Sequence, residues 1–291
     1  MSVAPDRSPL DEMLKATRLN DEEMRTLLRD SANEARAILN NAGEGIGRTV
    51  RSAQLDVARQ QQKMWDAVGQ QTAVAIGDGV DAASRSAAFL TEMHMSSLGM
   101  DTSFYYQSVL ATGRSGIDSL LSRSAAGIPL SQQVYRTSVA SGQRLDRAIN
   151  AMIVNGASAR EIARRVHGYI DPSTPGGASY AAMRLGRTEL NNAFHTTTLR
   201  LAEDNPMVEA MKWNLSRSHP KADVCDEYAN ETHMRDGEPG VYRKGDVPNK
   251  PHPQCFCFVT PVTPDDEEFV ANFHAGKYDS WIDQQLGCHR G

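Results

Sequence analysis

The sequence predicts a mainly α protein, with an extended helical N-terminal region followed by a small α+β C-terminal module that a metal stabilises. Apolar residues recur at helical spacing through most of the first 205 residues. All four cysteines and eight of the 13 prolines follow residue 205, and these prolines divide the chain into pieces too short for long helices. Aromatic residues make up only 6% of the chain, which suits thin helical interfaces better than a thick β-sandwich.

The first two helices are predicted from the periodicity of apolar residues. Asn20, with Glu23 three residues later, is typical of a helix N-terminus, and the apolar positions that follow keep helical spacing up to Gly43. From Ile46 to Val74 the apolar positions follow a 4-3 pattern that two glutamines interrupt. This second helix is either an ordinary amphipathic bundle helix or an arm of about 45 Å, at 1.5 Å per residue, that reaches along a neighbouring subunit.

The helical pattern continues to residue 205. Residues 77–145 are predicted to be helical, with breaks at several glycines and at a Gly-Ile-Pro segment. Ser158 and Glu161 have the spacing of a capping box, so a helix is expected to begin there and to end near Gly168. A loop rich in turn residues then separates this helix from another over residues 180–201.

These patterns divide the chain into a helical assembly region (1–145), a second helical region (146–205), a Cys/His-rich α+β module (206–263) and an acidic C-terminal helix or tail (264–291). Basic and acidic residues number 22 each up to residue 205, whereas 9 basic residues oppose 14 acidic ones after it. The acidic run 265–268 is expected at a helix N-terminus, where the helix dipole favours negative charge.

Charge and hydropathy exclude several classes of protein. The net charge of −5 at pH 7 argues against a general nucleic-acid coat, which would carry a broad excess of Lys and Arg. No apolar run is long enough for a membrane span, and the first residues lack the apolar segment of a secretory signal. We therefore expect a protein without membrane contact that folds in a reducing cytoplasm, where thiols or metal ligands are more common than disulfides.

The residues that indicate chemistry lie in two short segments of the C-terminal module. His219 and Cys225 form the first, and about thirty residues later His252, Cys255 and Cys257 form the second. Structural zinc takes four thiolate or imidazole ligands, so the preferred set is the three cysteines with His252, and His219 is the alternate ligand. Such a closed set leaves no position for a catalytic water. Two other interpretations stay open: the cysteines are reduced, partly buried hydrophobic residues, or they form a redox or disulfide pair.

The sequence lacks the common signatures of an enzyme. It has no G-x-S-x-G elbow, Walker loop, H-E-x-x-H or Rossmann glycine series. Arg187-Thr188-Glu189 could bind an anion or a substrate, but helix-surface charges or an interface pair are the simpler interpretation. Polar residues that could transfer protons also cluster without a recognised order: His219, Asp223, Asp226, Glu227 and His233.

In their order along the chain these segments resemble the head morphogenesis domain of tailed phages, the Mu-type minor head protein family. The resemblance covers residues 145–263, so residues 146–205 would be the helical part of that domain, and residues 1–145 are not covered. Many members carry a second cysteine soon after the first, where Tyr228 stands here, so a histidine is needed as the fourth metal ligand. The matching residues are Gly186-Arg187-Thr188-Glu189, Trp213, Ser216, His219, Asp223-Val224-Cys225 and Pro251-His252-Pro253-Gln254-Cys255-Phe256-Cys257.

The resemblance implies a minor capsid component that acts in head morphogenesis and is not an enzyme. Its expected partners are the portal protein, the major capsid protein or both, through the N-terminal helices. It would lie in the head interior or neck of the virion, and in the host cytoplasm during assembly. A homo-oligomer, and a weak DNA contact through Arg160, Arg164 and Arg165, are further expectations. The rival interpretation is a phage-associated enzyme, such as an ADP-ribosyltransferase or a peptidase, or an ejected protein that contacts DNA.

Overall fold

The computed structural model describes residues 9–42, 48–97, 99, 103–122, 129–217, 219, 221–232 and 238–287. Of these residues, 74% are helical, and a small antiparallel sheet lies in the C-terminal part, so the predicted mainly helical fold with a small C-terminal α+β module is confirmed. The extended form of the N-terminal region and the stabilisation of the module by a metal stay predictions. No described helix is both long enough and apolar enough to cross a membrane. The helices before the sheet are α1 (Pro9–Asn41), α2 (Arg48–Ser97), α3 (Ser103–Arg114), α4 (Ile117–Ser122), α5 (Leu130–Val154), α6 (Ala159–Ile170) and α7 (Gly177–Asp204).

Helix α1 begins eleven residues before the predicted N-cap at Asn20, so that prediction is wrong. The apolar stripe continues upstream through Met13 and Ala16, both buried, and nothing in between breaks the helix. Asn20 is itself buried, and Gln71 of α2 donates a hydrogen bond to its side-chain oxygen at 3.5 Å. A residue type that favours helix ends is therefore used here as a buried polar contact between two helices.

Helix α2 is one continuous helix of 50 residues. Its predicted stripe is buried at Ala53, Val57 and Met64, but Val74 is 52% exposed, so the stripe does not extend that far. The helix continues through Gly77 and Gly79. A Cβ at Gly79 would lie 2.5 Å from the backbone oxygen of Leu190 in α7, so glycine allows these two helices to approach closely.

The capping box and the turn residues around α6 predicted the bounds of this helix to within two residues. Ser158 caps α6, its hydroxyl accepting the Glu161 backbone N–H at 3.3 Å while the Glu161 carboxylate accepts the Ser158 backbone N–H at 2.8 Å. The predicted capping box is therefore confirmed. The helix ends at Ile170, two residues beyond Gly168, and residues 171–176 form the expected loop before α7.

The C-terminal part consists of short elements, as its prolines predict. They are β1 (Ala210–Asn214), α8 (Val224–Asn230), β2 (Val241–Tyr242), a 3₁₀ turn (Lys244–Asp246), β3 (Phe258–Val262), α9 (Asp266–His274) and α10 (Asp279–Gly287). Strand β1 lies in the centre and pairs antiparallel with β2 and β3. The side chain of Asp265 accepts the Glu268 backbone N–H at 2.8 Å, so the acidic run lies at a helix N-terminus as predicted.

Contacts group the chain into two compact units. Unit 1 contains Met1–Thr17, Ile76–Leu120 and Leu190–Gly291, and unit 2 contains Arg18–Ala75 and Leu121–Glu189. Each unit combines segments that are far apart in sequence. The four consecutive regions derived from composition and motifs stay predictions about how the chain is organised.

Among the described residues of unit 1, three clusters of buried apolar side chains position its helices and sheet. One surrounds Met211 and Trp213 of the sheet and includes the three described cysteines. A second joins Met95 of α2 to Met207 and to side chains of α9 and α10. The third joins Ala88 of α2 to Tyr105, Val109 and Leu201. The sheet cluster is the one that supports the Cys/His segments.

Candidate metal centre

The first Cys/His segment is fixed by the N-terminus of α8. The Asp223 carboxylate accepts the Cys225 backbone N–H at 2.7 Å, and the Asp226 carboxylate accepts the Asp223 backbone N–H at 2.7 Å. These reciprocal bonds form a second capping box. They hold Cys225 in the first turn of α8, where its side chain is buried against the sheet cluster.

The second segment is a tight loop before β3. Gln254 adopts a left-handed backbone conformation, with φ of 58°, between Pro253 and Cys255. The Lys250 ammonium donates hydrogen bonds to the backbone oxygen of Cys255, at 3.3 Å, and to that of Cys257. The turn and the lysine together hold both cysteines toward α8.

The three cysteines meet in one buried cluster. Their Sγ atoms lie within 4.8 Å of one another, and Cys225 Sγ is 3.5 Å from Cys255 Sγ. A disulfide bond would need about 2.05 Å, so Cys225, Cys255 and Cys257 are free thiols. Sulfurs at about 2.3 Å from a tetrahedral zinc would be about 3.8 Å apart, which is close to the separation observed.

Two histidines approach this cluster at different thiols. His252 Nε2 lies 3.6 Å from Cys225 Sγ and 3.1 Å from a carboxylate oxygen of Asp223. His219 Nδ1 lies 3.8 Å from Cys257 Sγ, while its Nε2 lies 2.8 Å from Asp226. The structure therefore brings together all five residues that the sequence predicted as metal ligands. The buried three-cysteine cluster, with His252, could bind a metal ion.

The surroundings of the three thiols favour the neutral form of Cys225 and Cys257 but not of Cys255. Burial raises the pKa of the Cys225 thiol to about 12. The hydrogen bond between Cys255 and Cys257, together with burial, raises the pKa of Cys257, and the same bond lowers that of Cys255. A metal ion would have to displace thiol protons, which makes its binding depend on pH.

Two residues that support the site were missed by sequence reasoning. Burial lowers the pKa of Lys250, whose ammonium faces the cysteine loop. His195 of α7 is 2% exposed, and its Nε2 lies 3.0 Å from the Pro248 backbone oxygen, which ties α7 to the start of the same loop. Neither residue shows a pattern in sequence that distinguishes it from a surface lysine or a core histidine.

Arg187 and Glu189, which the sequence analysis considered as possible binding residues, interact with other residues of the protein. Arg187 forms a two-point ion pair with Asp21 of α1, with nitrogen to oxygen distances from 2.6 to 3.1 Å. Glu189 is buried, and burial raises its pKa while a hydrogen bond with Gln133 opposes that shift. The interpretation of Glu189 as a helix-surface charge is therefore wrong. Cys288 and His233 lie outside the described residues.

Comparisons with known proteins bring no further assignment. No family model, no curated protein and no solved structure matches the chain. The resemblance to phage head proteins thus depends on the residues themselves, and the metal centre depends on their geometry.

Proposed function

We propose that this protein is a minor head protein of a tailed phage, which acts in head morphogenesis while bound to the portal or the inner capsid. The observation that carries the proposal is the Cys/His cluster. His219, Cys225, His252, Cys255 and Cys257 are the residues that the family resemblance selects. The three cysteines form one buried cluster, and each histidine lies near a different thiol of it.

The metal in this proposal is a structural zinc. Thiolate and imidazole ligands suit zinc, and sites with four such ligands stabilise a fold instead of activating water. Cys225, Cys255 and Cys257 would supply the thiolates, and His252 or His219 the imidazole. Asp226 contacts Nε2 of His219, the ring nitrogen opposite the Nδ1 that faces Cys257, and would orient that histidine, as outer partners of zinc histidines commonly do. In His252 it is Nε2 that faces Cys225, so the group that would orient this ring is the Pro253 backbone oxygen, 3.2 Å from Nδ1.

The zinc would join the N-terminus of α8 to the loop before β3. These segments are about thirty residues apart in sequence, and between them β2 packs on β1. A small module with few strands gains much of its stability from such a link. A rigid module of this kind suits a protein that has to be built into a particle.

The rival enzyme receives less support from the arrangement. Glu189, the carboxylate of the Arg-Thr-Glu motif, is buried and hydrogen-bonded to Gln133, and Arg187 is engaged by Asp21. Neither side chain presents an open charged group to a substrate. A transferase or peptidase activity that is lost in Glu189→Ala, with the fold intact, would favour the rival.

Quantitative mass spectrometry of purified particles tests the head-protein proposal. Particles of the phage or prophage that encodes the chain are expected to contain it at a fixed ratio to the portal protein. Procapsids purified before DNA packaging serve as the second sample, because an assembly protein should be present there as well. Absence from both kinds of particle would overturn the proposal.

A further inference from the structure

A cleft in unit 2 lies outside the metal centre and has no role in the proposed function. It has a volume of about 390 Å³ and lies between α5, α6 and the beginning of α7. This volume is within the range of sites that hold small ligands or a few side chains of a protein segment. Its lining combines three arginines with a larger number of apolar residues.

The arginines are Arg144 on α5 and Arg164 and Arg165 on α6, and all three are exposed. No acidic residue lines the cleft, and none of the three arginines forms an ion pair with another described residue. Glu161, one turn before Arg164, is already held by the Ser158 capping box. Other arginines of the chain do pair, as Arg187 does with Asp21. The lining of the cleft therefore carries positive charge and no negative charge, and Glu161, whose pKa is lowered first by its bonds to Ser158 and also by Arg164, lies outside that lining.

The apolar part of the lining narrows the class of ligand. Among its apolar lining residues, Leu145, Ile149 and Val166 are almost fully buried, so the apolar surface open to a ligand comes from the half-buried Met152 and Tyr169 and the exposed Pro175. A nucleic-acid backbone offers phosphates to arginines but no aliphatic groups for such a surface. An acidic protein segment with apolar side chains offers both, as helices that bind in grooves do.

We propose that this cleft is a docking site for an acidic, amphipathic segment of a partner protein. Carboxylates of the segment pair with Arg144, Arg164 and Arg165, and its apolar side chains enter between α5 and α6. The charge complementarity sets the orientation and the rate of association, and the apolar contacts add affinity. This inference does not depend on zinc or on the phage-head proposal.

Fluorescence anisotropy with the full-length protein tests the site. The probe is a labelled amphipathic peptide of Glu and Leu, about four helical turns long. Comparison probes are a Glu/Ser peptide of equal charge and a short labelled DNA duplex. We expect the Glu/Leu peptide to bind more tightly than either comparison probe at physiological salt. The double variant R164E/R165E should weaken its binding by roughly tenfold or more, since close charge pairs in interfaces couple strongly.

The matched control is R136E/R184E, which makes the same change in net charge at two exposed arginines of unit 2 that do not line the cleft. It should leave peptide affinity unchanged, and circular dichroism should show both double variants folded. Equal weakening by the two double variants, or no peptide binding at all, would overturn the proposal. Tighter binding of the DNA duplex that R164E/R165E abolishes would also overturn it, and would assign the cleft to nucleic acid.

Discussion

The two histidines at the metal centre contact different thiols, and the nearest carboxylate is Asp223 for His252 and Asp226 for His219. Because either imidazole can supply a fourth ligand, we expect His219→Ala and His252→Ala each to retain about one zinc per chain at reduced affinity. The double variant, with both histidines replaced by alanine, should lose the zinc. Competition with a chromogenic chelator measures these affinities. A single variant that loses zinc as completely as a cysteine variant would identify one histidine as the sole ligand and contradict this account.

We expect the buried His195 to make the stability of the fold sensitive to mild acid. Burial lowers its pKa to about 3, from about 6.5 in an unfolded chain. Its Nε2 donates to Pro248, and its Nδ1 has no hydrogen-bond partner among the described residues. Since the unfolded chain binds the extra proton, His195 contributes stability above pH 6.5, and that contribution falls as pH decreases toward 3.

The change in unfolding free energy between pH 7 and pH 5.5 should therefore be smaller in His195→Gln than in wild type. The expected difference is about 1 kcal/mol, because glutamine can keep the bond to Pro248 without titrating. Urea unfolding at both pH values, with zinc in excess, gives the comparison. An identical pH dependence in the two proteins would show that His195 is not desolvated as described.

At the residue level, the sequence selected candidate ligands by residue type and spacing, and the structure shows which of them lie near one another. The cysteines stand out because the chain has only four, and His219 and His252 were chosen from eight histidines because they lie close to them in sequence. In the fold, the three described cysteines form one cluster, and each of these histidines lies near a different thiol of it. Lys250 and His195 could not be found in this way, because their roles come from burial and from backbone oxygens of a loop. The burial of Glu189 was missed for the same reason, since a carboxylate in a helix is usually exposed.

At the scale of elements, α2 and α7 approach closely at a single glycine. In Gly79→Ala the new Cβ would lie 2.5 Å from the Leu190 backbone oxygen, so one helix has to shift. We expect a loss of about 1–3 kcal/mol in unfolding free energy. The control is Gly77→Ala, two residues earlier, where a Cβ meets no atom within 4 Å.

This control variant should gain about 1 kcal/mol, because alanine favours a helix interior over glycine. Chemical denaturation of both variants, with circular dichroism as the probe, measures the two changes. Equal effects at the two glycines would contradict the close approach of α2 and α7.

Helix prediction was accurate where a local signal ends or begins an element. The Ser158 capping box and the acidic N-terminus of α9 depend on neighbouring residues only, and both are confirmed. The start of α1 was wrong because Asn20 satisfies the same local pattern but is buried against α2. The exposure of Val74 was missed because the 4-3 pattern marks Val74 as apolar, whereas the buried face of α2 at this point runs through its neighbours Ala75 and Ile76.

At the scale of the whole molecule, unit 1 combines residues from distant parts of the sequence. The sheet cluster around the cysteines draws its residues from positions 199–259. The cluster beneath α9 and α10, in contrast, needs Met95 of α2, and Ser108 of α3 donates a hydrogen bond to Gln285 at 2.6 Å. The sequence analysis predicted four regions that follow one another along the chain, because composition contains no information on packing between distant segments.

A variant that begins at residue 146 should leave the sheet cluster intact but loosen the cluster beneath α9 and α10. It retains every residue of the sheet cluster, so it should still bind zinc at wild-type stoichiometry. It lacks Met95 and Ser108, so amide hydrogens of α9 and α10 should exchange faster than in the full chain. Hydrogen exchange by mass spectrometry measures this, and wild-type protection of α10 in the truncated chain would contradict the packing described.

The central claim is that Cys225, Cys255 and Cys257 hold a structural metal, and the zinc content of the purified chain tests it most directly. Full-length protein prepared without chelator should contain about one zinc per chain, and Cys255→Ser should lose it. Because structural zinc contributes roughly 10–16 kcal/mol of apparent binding energy in small zinc-binding peptides, this loss should also unfold the Cys/His segments. Folded wild-type protein with no bound metal, and with Cys255→Ser equally stable, would contradict the account.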